Sequence, residues 1–429
     1  MKPRQMTTTD LRGQRDQMAS NIGSRAFKHL EHLCLEIGPR PIGSKSNLAA
    51  AAYIQGILQH CGLDVSLQEF PCPLWEEKQT HLELDGRALT CDEAAGTIAT
   101  ANDFSPPCDV TAPTLALGTV AELQEADLAG RIGLLYGELT KGTGIGARSA
   151  VYFPEQHQQI IRLLEQKNPA ALITIHAKIG SLERLIRDPD FTLPSATVPA
   201  EVGRSLLEHS GRPLHLTIDS HGTPAQFSNV VAARAGDRPE RIVLLAHFDT
   251  TNNAPGAVDN GSGVAVLLAL AKSFSQTDLS VGLEWIIVNG EENGGLGDAA
   301  NLREREDTLD QILAVINLDG VGQRVGANTI TVMGASQPCQ DQIRNAHRRY
   351  PGVVWADPWY ESDHSAFLWR GVPCVPLTSV GVANIDHLPT DNAAWVSPAK
   401  LDEVASLVTE VIQALQDKSP GWCREPGRD

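Results

Sequence analysis

No apolar run in this 429-residue chain approaches the roughly 20 residues that a bilayer-spanning helix needs, so a helical membrane anchor is not expected. Basic residues are scarce: 35 Lys and Arg stand against 52 Asp and Glu, a net charge of −17. Nucleic acid and anionic membrane surfaces both attract basic patches, so neither is expected as a partner. The eight cysteines (Cys34, Cys61, Cys72, Cys91, Cys108, Cys339, Cys374 and Cys423) are scattered, with no Cys-x-x-Cys pair. That excludes a dense disulfide framework and points to free thiols in a reducing compartment. Residues 1–20 lack the apolar segment of a secretory signal. The expected location is the cytoplasm, with secretion left open should a leader be missing. No Gly-x-Ser-x-Gly elbow follows a strand, which removes the α/β-hydrolase type of serine nucleophile.

What is present reads as a loop-rich globular protein, with 42% hydrophobic residues, 37 Gly and 26 Pro. Its length exceeds a single typical core, so two domains are expected. Residues 1–21 read as a flexible tail. Phe27, Leu30, Leu33, Cys34 and Ile37 then recur at helical spacing until Gly38-Pro39, and a helix at 48–61 and a strand at 63–70 follow. From 84 to 221 the texture changes to short β-like runs at 114–117, 132–136 and 171–175, set among Gly-, Pro- and Thr-rich loops. His157, His176 and His209 stand alone in this stretch, so it is expected to be a β-rich insert that carries no site residue. From 229 onward, strands at 230–234, 242–246, 283–288, 314–318, 330–333 and 372–376 alternate with helical segments. The alternation predicts a three-layer α/β/α domain with a mainly parallel mixed sheet, formed by residues 22–83 and 222–429 around the insert at 84–221.

In such a sheet, ligands bind at the carboxyl ends of the strands. The strand at 242–246 delivers His247 and Asp249 there, and Asp259 follows twelve residues after His247. A lone His-x-Asp is common and is usually an ordinary hydrogen-bonded pair; its company decides here. The strand at 283–288 ends in Glu291-Glu292, the strand at 314–318 ends in Asp319-Gly320, and the loop after 372–376 carries Asp386-His387-Leu388-Pro389-Thr390-Asp391. Two His and three carboxylates at one sheet edge suit a pair of divalent cations about 3.5–4 Å apart, one carboxylate bridging. The spare carboxylate of the Glu pair is then free to take a proton from an attacking water.

The segments HFD…GAVDNGSG, NGEENGGLGD, INLDGVG, SDHSAF and DHLPTD, in this order, resemble the co-catalytic di-zinc exopeptidases of metallopeptidase family twenty-eight. The match runs over about 229–415, and more loosely over LEIGPRPIGS near the N-terminus. The resemblance implies a zinc-exopeptidase fold of the phosphorylase/hydrolase-like kind and an aminopeptidase acting on peptides with a free N-terminus. It implies two zinc ions per chain, with cobalt or manganese as substitutes. His247 and Asp319 would hold one ion, Glu292 and His387 the other, and Asp259 would bridge. Glu291 would be the general base and Asp249 would orient His247. The segments ADLAGRIGLL, NPAALITI and LPSATVP make the insert resemble a protease-associated domain, which implies a role in substrate access.

Two departures from the family pattern stand out. Gly295 and Asp298 replace the usual Leu and Ser after the Glu pair, and Trp359 occupies the place of an oxyanion-stabilising Tyr, with Tyr360 one residue later. The sequence does not separate aminopeptidase from carboxypeptidase or dipeptidase. A glutaminyl-cyclase-like acyltransferase and a non-catalytic receptor-like binding module remain as alternatives. Both relatives dispense with ligands that this chain retains.

Overall fold

The computed structural model describes residues 22–89, 98–141, 144–179 and 181–425. The tail expected at 1–21 lies outside them. Among the described residues are two eight-stranded sheets. The first runs in the order Asp64–Pro71, Gln226–Arg234, Val281–Val288, Arg238–His247, Ile312–Leu318, Cys374–Ser379, Asn328–Ile330, Val354–Trp355. Its four central strands, from Val281–Val288 to Cys374–Ser379, pair in parallel, and antiparallel pairings flank them.

Side-chain alternation shows why helices cover both faces. Along Arg238–His247, Ile242, Leu244 and Ala246 point into one core with the helices Lys45–His60, Ser262–Phe274 and Pro398–Leu415. Val243 and Leu245 point into the other, with Leu302 of helix Leu296–Arg305 and Phe367 of helix His364–Leu368. A strand buried on both faces reads as a continuous apolar run, which is what residues 242–246 show. The fold is the expected mixed α/β architecture. The strand expected at 330–333 is displaced to Asn328–Ile330; Met333 makes only an isolated bridge to Cys374.

The second sheet has the order Arg87–Ala88, Leu74–Leu84, Pro213–Thr223, Cys108–Leu117, Ile132–Leu135, Ala171–Ile175, Ser195–Val198, Thr100–Ala101. Leu74–Leu84 pairs along its length with Pro213–Thr223, so this sheet starts ten residues before the boundary placed at 84. Alternation alone could not assign that strand to a sheet, because its partner lies well over a hundred residues away. No helix among the described residues is long and apolar enough to cross a membrane.

Candidate metal centre

Parallel pairing places the carboxyl ends of the four central strands at one edge of the sheet, where ligands bind in such folds. His247 is the last residue of its strand and is buried. Asp259 follows in a tight turn whose Asp259–Asn260 peptide is cis, just before the helix Ser262–Phe274. Glu291 and Glu292 follow the strand Val281–Val288, and Asp319 follows Ile312–Leu318. Gly294 and Gly295, at φ 87° and 83°, turn the chain from the Glu pair into the helix Leu296–Arg305; side-chain-bearing residues rarely adopt that left-handed region.

The donors fall into two groups of three, His247–Asp259–Asp319 and Asp259–Glu292–His387, each with ligand atoms within 4.8 Å of one another. His247 Nε2 lies 3.2 Å from Asp259 Oδ1 and 3.5 Å from Asp319 Oδ1. His387 Nε2 lies 3.2 Å from Asp259 Oδ2 and 3.1 Å from Glu292 Oε2. Tetrahedral coordination at about 2.0–2.1 Å places neighbouring donors about 3.3 Å apart, so the donor set fits zinc. Asp259 faces one group with each oxygen, as a bridging ligand must. Buried Glu292 Oε1 has no hydrogen-bond partner, which leaves a lone-pair donor turned inward.

Electrostatics agree with a cation site. Burial alone would lower the pKa of His247, but Asp319, Asp249 and Asp259 outweigh it and raise it well above the ordinary value. His387 behaves alike: burial opposes, and Glu292 and Asp259 prevail. Burial would raise Asp259, yet the two imidazoles hold it well below the carboxylate range. Enclosure raises Glu291, and Glu292, Asp319 and Asp259 raise it further. A cation entering here relieves packed negative charge and must displace a proton from each imidazole.

Asp249 is fully buried and ties the two strand ends together. Its carboxylate accepts the backbone N–H groups of Glu291 and Glu292, both at 3.2 Å. Its Oδ1 lies 3.6 Å from His247 Nδ1, which also sits 3.2 Å from the Asp249 carbonyl. Several other polar residues at the site were given no role from the sequence. Asp391 accepts from the N–H groups of Val258 at 2.8 Å and Asp259 at 3.0 Å, and burial pushes its pKa up to about 7. Buried Arg40, in the LEIGPRPIGS segment, donates to the carbonyls of Phe248, Pro255 and Gly256 and so clamps the metal-loop backbone. The resemblance of that segment was the available signal for Arg40. Glu183 and Arg187 belong to the stretch expected to carry no site residue, yet Glu183 Oε1 lies 3.2 Å from His387 Nδ1 and Arg187 Nη1 lies 3.3 Å from Glu292 Oε2. His176 is correspondingly not alone, with Nε2 3.5 Å from Glu183 Oε2. No local sequence pattern announces these contacts.

A cavity of about 390 Å³ opens over the centre, lined among others by Glu291, Asp298, Trp359, Tyr360, Asp363 and Trp369. Both Trp359 and Tyr360 line it. The Asp298 that replaces the usual Ser faces Asp363; burial pushes Asp298 up to about 6 and Asp363 well above its ordinary value.

A parallel-sheet α/β fold with this donor set defines a zinc-dependent hydrolase. Residues 229–412 match Peptidase family M28, so that segment is similar to the family. It is 23% identical over 414 residues to aminopeptidase YwaD of Bacillus subtilis, covering 90% of this chain and 83% of that one. Among solved structures, the aminopeptidase from Aneurinibacillus sp. strain AM-1 superposes with a TM-score of 0.72 at 23% identity, covering 96% of this chain and 98% of that one. The zinc aminopeptidase BSAP of B. subtilis gives 0.73 at 22%, covering 94% and 98%. These likenesses establish the fold over both sheets.

Proposed function

We propose that the chain is an aminopeptidase that releases the N-terminal residue of peptides at a centre of two zinc ions. One observation carries the reading: two donor triads share Asp259, with the unligated carboxylate of Glu291 on the wall of the same cavity. His247, Asp319 and Asp259 would hold one ion, and Glu292, His387 and Asp259 the other. Bound there, the ions polarise the scissile carbonyl and make water acidic enough to attack near neutral pH.

The residues of the chain divide the remaining work. Glu292 lies 3.1 Å from His387 Nε2 and would be committed to the cation, which would lower its basicity, so Glu291 would take the proton of the attacking water. Glu291 then hands that proton to the departing amine. Asp249 keeps both Glu backbones and the His247 ring in place while this happens. A single-ion acyltransferase would have no use for the second triad.

The cavity lining also favours an aminopeptidase over a carboxypeptidase. Glu361 in the lining suits a cationic amino terminus, whereas a free carboxylate calls for an uncommitted cation. The guanidinium of Arg187 is already held by Glu183 and Glu292. The test is hydrolysis of amino-acid arylamides against their N-acetylated forms, with zinc measured on the same sample. We expect close to two zinc ions per chain and cleavage of the free-amine substrates only. Equal cleavage of the acetylated forms would refute the aminopeptidase assignment.

A further inference from the structure

Each imidazole that offers Nε2 to a cation must keep its proton on Nδ1, and a partner at Nδ1 fixes that tautomer and the ring plane. His247 obtains its partner from its own strand end, Asp249. His387 does not: its Nδ1 faces Glu183, on the loop between Ala171–Ile175 and Ser195–Val198 of the second sheet. We propose that the second-sheet unit completes the metal centre, with Glu183 as the positioning residue for His387 and Arg187 as the latch that holds Glu183 there. The proposal rests on the two-zinc reading above.

The surroundings of Glu183 are built for that task. It is buried, and its two oxygens are divided between His387 Nδ1 at 3.2 Å and His176 Nε2 at 3.5 Å. Arg187, also buried, donates to Glu183 and to the Glu292 carbonyl, and its Nε donates to the Arg184 carbonyl at 3.0 Å. A buried carboxylate is stable only when paired, and this guanidinium supplies the charge. The same loop is fastened to the loops that carry the donors. Asn293 Nδ2 donates to the Arg187 carbonyl at 2.8 Å, and the Arg184 N–H donates to Asn252 Oδ1 at 3.3 Å. His387 itself sits at φ 56°, a left-handed conformation that a non-glycine residue keeps only where its surroundings enforce it. The loop carrying His387 has few regular elements of its own, so a contact from outside the first sheet is what sets the ring.

The experiment uses the full chain stripped of metal and titrated with zinc against a competing chelator, which yields stepwise dissociation constants. Glu183→Ala should weaken one of the two sites by about 10- to 100-fold and leave the other within a few fold, the usual effect of removing such a partner. Glu183→Gln keeps an acceptor oxygen and should recover part of that loss. It also serves as the informative variant should the alanine protein fail to fold. Glu165→Gln, which breaks an ion pair with Arg148 in the same unit, should leave both constants unchanged. The metal-free thermal midpoint is read alongside, because a purely structural role would lower it and weaken both sites equally. Unchanged constants in Glu183→Ala and Glu183→Gln, or equal weakening at both sites, overturns the proposal. A wild-type chain that binds zinc but cleaves no arylamide would refute the aminopeptidase reading while the Glu183 comparison still stands. A wild-type chain that binds no zinc would refute both.

Discussion

Replacing Glu291 by Gln isolates the proton-transfer step from everything else the site does. The amide has the same shape, and the link that holds this residue, its N–H to Asp249 Oδ1 at 3.2 Å, is a backbone contact that survives the change. The neighbouring Glu292 keeps its own N–H bond to Asp249 and its approach to His387 Nε2 at 3.1 Å. The proposed zinc donors are therefore untouched, and what the substitution removes is the basic oxygen assigned to take the water's proton. A positioned base is worth about 10²–10⁴ in rate. At about 1.36 kcal/mol per tenfold, that is about 2.7–5.4 kcal/mol of transition-state stabilisation. Steady-state turnover of a small arylamide, with zinc content measured on the same preparation, reads both quantities. Glu291→Gln should lose kcat by that factor, retain its zinc and change KM little. Loss of zinc from Glu291→Gln, with zinc retained in Glu292→Gln, would show that the two adjacent carboxylates have exchanged roles. A loss below tenfold would remove Glu291 from the chemistry.

Asp259→Asn replaces a carboxylate that presents an oxygen to each triad with an amide that has one neutral acceptor oxygen, so zinc content should fall below two ions per chain; retention of both ions would sink the bridging assignment. Because acidic neighbours raise both His247 and His387, zinc uptake should release protons, and the zinc dissociation constants should tighten as pH rises from 6 to 8; flat constants over that range would contradict the ligand assignment. Burial pushes Asp298 up to about 6 in the folded chain, above its unfolded value of about 3.9, so its contribution to stability is full below about pH 4 and lost as pH rises through about 6. Thermal midpoints of Asp298→Asn should fall less steeply than wild type across that window, and identical slopes would refute the assignment. Arg40→Ala strands the buried carbonyls of Phe248, Pro255 and Gly256 and should destabilise the first-sheet domain by about 3–5 kcal/mol, read as a drop in its denaturation midpoint; a loss under about 1 kcal/mol would mean the clamp is redundant.

The sequence by itself determined the parallel sheet and the residues at its carboxyl edge. Both are written in short-range patterns: an apolar run such as 242–246 ends abruptly in His247 and Asp249, and Glu291-Glu292 and Asp319 end their strands in the same way. Strand period and strand polarity are enough to place those side chains on one edge. Helix caps and register were less legible, which is why the strand expected at 330–333 lies at Asn328–Ile330. What only the tertiary structure decided is which distant segments close on the site. Leu74–Leu84 joined the second sheet because its ladder partner lies at Pro213–Thr223, a pairing that no local periodicity encodes. Glu183 and Arg187 sit in a segment with no cluster of donors along the chain, and their meaning arises from burial against His387 and Glu292, over a hundred residues onward. An isolated Glu in a loop sequence is normally solvated. Only the folded chain, by excluding water and setting opposite charges within 3.5 Å, brings these residues against the candidate metal donors His387 and Glu292.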